Sequence, residues 1–184
     1  MSTKPNTLSM AQSAVYHHAL AFSPYWGDAE QLDEGTISFR RLPKGLETLK
    51  IQLGFNKRWM GGTCAMNIIF SCNTVHSDSG KIAFKGAHGG TFTGKTRGDF
   101  SSRLLTALNT DEALKKTLYA IDLTSVYIDV KHGMVECTVT PYGGGMAYLV
   151  IPPIRTPIPL PGEQVLPLTQ AIEAISVHIK RVQH

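Results

Sequence analysis

The chain has 184 residues, 42% of them hydrophobic and 17% charged. That is the length of one domain with ordinary globular composition, which excludes a chain disordered throughout and leaves little room for two full domains. The net charge of +4 is unevenly spread: residues 1–34 carry −3, residues 35–103 carry +8 and residues 104–184 carry −1. The basic middle third raises an anionic partner as a question, against the plainer reading of solvated strand faces.

Taken in order, Leu8, Ala11, Val15, Ala19 and Leu20 fall near helical spacing, so a short amphipathic helix is expected over residues 8–20. Residues 21–34 read as a loop, with Tyr25 and Trp26 available to pin it onto the core. Four strand candidates follow at 36–42, 46–55, 63–73 and 81–85. In the second, Leu49, Ile51, Leu53 and Phe55 alternate with Lys50, Gln52 and Gly54, the clearest period-two pattern in the chain. Short turn signals separate the strands, Pro43-Lys44-Gly45 and Ser77-Asp78-Ser79-Gly80 among them. An antiparallel meander is therefore expected, the last two strands forming a hairpin.

A glycine-rich stretch, residues 86–98, reads as a crossover from sheet to helix. Phe100, Leu104 and Leu108 then mark one helix with Asp99 as its N-cap. Leu114, Leu118 and Ile121 mark a second, capped by Asn109 or Thr110. Three strands follow, built on Val126, Ile128 and Val130, on Val135, Cys137 and Val139, and on residues 146–151. Residues 152–167 hold six prolines, too few amide donors for an interior strand, so an extended surface segment is expected there. A final helix over about 164–181 aligns Leu168, Ile172, Ile175 and Ile179.

The expected fold is therefore α+β in one domain, residues 1–184: an antiparallel sheet of about seven strands with helices on one face, in the order α-ββββ-αα-βββ-α. Three cysteines, Cys64, Cys72 and Cys137, are too few and odd in number for a disulfide framework. No secretory signal and no apolar run long enough to span a membrane is evident, so a cytoplasmic protein is the expectation.

Gly89-Gly90-Thr91-Phe92-Thr93-Gly94-Lys95-Thr96 matches G-x-x-x-x-G-K-[ST] and so resembles the Walker A motif of P-loop nucleotide-binding proteins. In such a loop the backbone amides would cradle phosphates, Lys95 would reach the β and γ oxygens and Thr96 would hold Mg²⁺. The context is wrong: a P-loop opens directly into a helix, whereas Gly98 and Asp99 mark a break and a cap after Lys95. Leu118-Tyr119-Ala120-Ile121-Asp122 imitates Walker B but falls on a predicted helix. What remains is an anion-accepting nest without a P-loop fold, with candidates His88, Gly89, Gly90, Gly94, Lys95, Thr96, Arg97 and Arg103, and with Lys81 and Lys85 bracketing the loop.

No metal spacing occurs among the histidines. Cys64 and Cys72 on one continuous strand would lie about 26 Å apart, so they cannot share one metal. No spacing marks a catalytic triad, and no cofactor is implied. Phe39, Phe55, Trp59 and Phe92 lie in the basic third, but Phe39 and Phe55 fall on apolar faces and read as core, which disfavours nucleic-acid binding.

From Leu114 through Tyr148-Leu149-Val150-Ile151-Pro152-Pro153 to Ile158-Pro159-Leu160 the chain resembles the C-terminal half of a bacterial family of small, uncharacterised proteins. The likeness rests on apolar patterning and a Pro-Pro step and covers under half the chain. It implies a bacterial cytosolic single domain and brings no functional residue with it. The functional expectation is a non-enzymatic module binding a partner protein or a small ligand, anionic or not, in the groove between sheet and helices, with a homodimer left open. The alternative is a nucleotide- or phosphate-binding protein or enzyme using residues 86–98.

Overall fold

A computed structural model describes residues 7–85, 89–131 and 133–183. The helix α1 (Thr7–Leu20) is followed by one short turn of helix, α2 (Ser23–Trp26), and by six strands: β1 (Ala29–Asp33), β2 (Thr36–Phe39), β3 (Thr48–Arg58), β4 (Gly61–Asn73), β5 (Ser79–Lys85) and β6 (Thr91–Arg97). Two helices, α3 (Asp99–Thr110) and α4 (Glu112–Tyr119), lead to β7 (Leu123–Lys131), β8 (Met134–Pro141), β9 (Gly145–Leu149) and β10 (Ile154–Ile158). A short 3-10 turn at Gly162–Gln164 leads into α5 (Val165–Arg181).

The α+β class and the antiparallel pairing agree with the sequence reading. The strand number and element order do not: among the described residues the sheet has ten strands, not seven. The three additional strands fall where alternation is weak. β1 is mostly exposed, so nothing in it repeats at period two. β6 lies in the glycine-rich stretch read as a crossover. β10 lies in the proline segment, and it obeys the proline rule, since it pairs only with β9.

The expected meander is also corrected. The sheet order is β1-β2-β3-β4-β8-β7-β5-β6, so β4 and β5 are not a hairpin. The β7–β8 hairpin is inserted between them. Three inter-strand steps of about 4.8 Å separate β4 from β5, roughly 14 Å. The link Thr74–Asp78 spans that gap, since extended chain reaches about 3.3–3.6 Å per residue. It passes over the β7–β8 turn, where the Thr74 amide donates to the Gly133 carbonyl at 2.8 Å. Along β4, β9 continues the line of β8, and the surplus residues Tyr142–Gly144 form a bulge whose Gly144 amide donates to the Ile158 carbonyl at 2.8 Å.

The core follows the alternation. Leu49, Ile51, Leu53, Met66, Ile68 and Phe70 are buried as expected, together with Val126, Ile128, Val130, Val135, Cys137 and Val139. Leu168, Ile172, Ile175 and Ile179 of α5 cover them, and Ala11, Val15 and Ala19 of α1 cover the β3 side. Trp26 is wholly buried, stacked on Phe22 at 4.5 Å and edge-on to Phe39 at 5.0 Å, so it pins the chain as expected, whereas Tyr25 is exposed. The reading of Phe55 as core is corrected: it is half exposed, lining a surface groove with Leu8 of α1 and Tyr148.

Among the described residues, the opposite sheet face carries no helix and is polar. Its side chains bond across strands: the Thr48 and Ser71 hydroxyls lie 2.7 Å apart, and the Thr140 hydroxyl donates to Asn67 Oδ1 at 2.8 Å. The edge is protected at β6. There the Asn109 side-chain amide donates to the Phe92 carbonyl at 2.8 Å and accepts from the Phe92 N–H at 2.9 Å, standing in for a further strand.

Candidate binding face on the open side of the sheet

The three strands β6, β5 and β7 turn Phe92, Ile82, Phe84, Val126, Ile128 and Val130 into the core. Alternation then sends Thr93, Lys95, Arg97, Lys81, Ala83, Tyr127, Asp129 and Lys131 to the uncovered face. In register, Lys81 lies across from Lys95 on one side and from Asp129 on the other. Arg97 stands two positions along from Lys95, and Lys131 two positions along from Asp129, with Lys131 Nζ 2.8 Å from Asp129 Oδ2. A shallow groove of about 670 Å³ runs over these residues. Four cations and one carboxylate line it. Like charges directly opposite one another cost stability in a sheet, so the Lys81–Lys95 pair sustains a local positive field rather than adding to the fold.

The sequence-predicted residues separate by strand parity. Lys95 and Arg97 share the groove. Gly94 lies between strands: a Cβ there would stand 2.1 Å from the Lys81 carbonyl oxygen, so glycine is required by the close approach of β5. Thr96 faces the helices, where its hydroxyl accepts from Ser102 Oγ at 3.1 Å. Arg103 sits on α3 and pairs with Asp99 at 3.0 Å, away from the groove. Gly89 and Gly90 precede β6 at its far end, and the Gly90 carbonyl accepts the Tyr119 hydroxyl at 2.8 Å. His88 lies outside the described residues. Lys131, Tyr127 and Asp129 were missed from sequence, because only the inserted β7–β8 hairpin brings them beside β5.

The Walker-like segment does not adopt the geometry that phosphate cradling needs. Residues 91–97 form an extended ladder with β5 instead of a loop wrapping an anion. The helix that follows begins at Asp99 with Gly98 as N-cap, correcting the expected Asp99 cap. The capping carboxylate comes from elsewhere: Asp78 Oδ2 accepts the Ser101 amide at 2.9 Å. The next cap is also reassigned. Asp111, not Asn109 or Thr110, caps α4 by accepting the Leu114 amide at 2.9 Å.

Other groups with chemical potential are held inside. The three cysteines are free and buried. Burial pushes the Cys72 thiol up to about 11 and the Cys137 thiol well above its ordinary value, so neither is a nucleophile near neutrality. Asp111 also meets His178 Nε2 at 2.6 Å, locking α4 to α5; that hydrogen bond is the main reason its carboxyl lies below the usual range. Among the described residues no cluster of three or more His, Cys, Asp or Glu side chains could hold a metal. No helix among them is long and apolar enough to cross a membrane.

Compared with known proteins, residues 21–179 match the model of one family, described as a protein of unknown function, DUF3156. The match extends well beyond the C-terminal segment that carried the resemblance. No curated protein and no solved structure matches the chain.

Proposed function

Since the chain belongs to the DUF3156 family of unknown function, we propose from its geometry that it is a non-enzymatic binding module. Its open sheet face would hold an anionic group, the phosphate or carboxylate of a small ligand or of a partner protein. The observation that carries this reading is the gathering of Lys81, Lys95, Arg97 and Lys131 around one groove on a face no helix covers. The only carboxylate in that lining, Asp129, is already engaged by Lys131, so it neither neutralises the other three cations nor stands ready as a base. Three buried, unpaired thiols favour a reducing compartment, which supports a cytoplasmic location. Nucleotide binding by residues 86–98 is the weaker reading, because Asp78 serves the helix end that would meet a phosphate.

The test is the charge-reversed pair Lys95→Glu with Arg97→Glu. The parent protein should be retained on an anionic matrix at low salt and released as salt screens the face. The variant should pass through while its melting temperature and circular dichroism stay those of the parent. Equal retention of parent and variant would show these cations to be an ordinary solvated surface.

A further inference from the structure

Far from the basic groove, at the opposite end of β4, two hairpin turns stand side by side. One joins β3 to β4 through Trp59 and Met60. The other joins β9 to β10 through Val150, Ile151, Pro152 and Pro153. They are tied together: Gly61 pairs with Leu149, and the Val150 amide donates to the Met60 carbonyl at 3.0 Å. The apolar side chains at these tips are not in the core. Trp59 is 94% exposed and Ile151 72%, with Met60, Leu149, Val150 and Ile154 also exposed. A contiguous apolar end of this kind marks an interaction surface.

Its charge pattern says with what. Residues 48–77 and 137–162, which hold both hairpins, contain no aspartate or glutamate. Lys57, Arg58 and Arg155 stand just behind the tips. Neither Lys57 nor Arg58 forms an ion pair among the described residues. Behind the apolar end, a groove of about 430 Å³ is lined by Arg58, Asn56, Thr63 and Thr156 as well as by Leu149 and Ile154. Apolar turns with a tryptophan at the front, a cationic collar behind and no acid between them are complementary to a bilayer with anionic headgroups. The apolar tips enter the acyl boundary, the indole sits at the interface, and the cations meet headgroup phosphates and carboxylates. Trp59 and Ile151 at the front are held by no pocket and stand largely in solvent, which suits a fluid surface better than a shaped protein.

We propose that the paired tips at Trp59–Met60 and Val150–Pro153 are a docking point for anionic lipid bilayers. This site is independent of the sheet face.

The experiment uses the full chain with vesicles of phosphatidylcholine alone and of phosphatidylcholine mixed with phosphatidylserine, read by co-sedimentation and tryptophan fluorescence. Trp26 is buried, so a spectral shift reports Trp59. The expected result is co-sedimentation and a blue shift with the phosphatidylserine vesicles, weakening as salt rises. Lys57→Gln with Arg58→Gln should weaken partitioning roughly twenty-fivefold, at about fivefold per cation. Trp59→Ala and Ile151→Ser should abolish co-sedimentation with melting temperatures unchanged. At saturating lipid, Lys95→Glu with Arg97→Glu should keep the blue shift, which separates this site from the sheet face. Four outcomes overturn the proposal: no binding to either vesicle, equal binding to both, undiminished binding by the tip variants, or a lipid-free blue shift that grows with protein concentration alongside a dimer mass. The last would make the occupant a second copy of the chain.

Discussion

The carboxylate of Asp78, in the link before β5, caps a helix that begins more than twenty residues later: its Oδ2 accepts the Ser101 amide at 2.9 Å. The Ser101 hydroxyl lies 3.3 Å from the Ser79 carbonyl, so the start of α3 is stitched to the start of β5. A helix N-terminus favours negative charge, and here the protein supplies that charge itself. With residues 91–97 held in a strand, this contact explains why the segment does not form the loop-to-helix cradle of a P-loop.

Removing the cap should therefore destabilise the fold. Asp78→Ala is expected to cost about 0.5–2 kcal/mol, the ordinary range for losing an N-cap side chain, measured as a shift in the urea midpoint at unchanged slope. An unchanged midpoint would mean that solvent serves the Ser101 amide equally well.

The same contact predicts the response to nucleotide. Mg·ATP should leave the melting temperature where it is, because residues 91–97 are a strand and the α3 terminus is occupied. A nucleotide-dependent rise that disappears in Lys95→Ala would overturn this.

In the core, Ile51 is wholly buried between Ile37 and Ile68 on the neighbouring strands. Truncating it to alanine should cost about 2–5 kcal/mol, which equilibrium denaturation can read directly. A near-neutral value would place the side chain outside the packed interior.

The Asp111–His178 contact predicts an acid limb in the stability profile. The folded-state carboxyl of Asp111 lies below its ordinary value, chiefly through the His178 hydrogen bond and next through the Leu114 amide. The group binds a proton less readily folded than unfolded. Its contribution is therefore present above the ordinary carboxylate value and is lost as pH falls through the folded one. Asp111→Asn should be less stable than the parent near neutrality, and the gap should narrow toward strongly acidic pH. A gap independent of pH would assign the loss to capping geometry alone.

How much of this was legible beforehand depended on the range of the signal. Side-chain alternation is local, so Leu49, Ile51 and Leu53 and their partners Met66, Ile68 and Phe70 could be assigned to the core from spacing alone. The repeat of Leu168, Ile172, Ile175 and Ile179 located α5 in the same way. Proline chemistry kept residues 152–167 out of the sheet interior, and β10 is indeed paired on one side only. The context around Lys95 was enough to argue against a P-loop, because a helix break at Gly98 is a short-range feature.

Which strands are neighbours was decided by tertiary structure. A turn signal after β4 reads the same whether the chain folds back beside itself or steps across a gap. The step is taken because the β7–β8 hairpin fills that gap and buries Val126, Ile128, Val130, Val135, Cys137 and Val139 under the helices. That insertion sets Lys131 beside the Lys81–Lys95 pair and completes the basic groove. The bulge at Tyr142–Gly144, which lets β9 follow β8 along β4, carries Val150 to Met60 and joins the two apolar tips. Periodicity along one chain determines which face of a strand is apolar. The company that face keeps depends on closing loops between distant segments, and no local pattern encodes that.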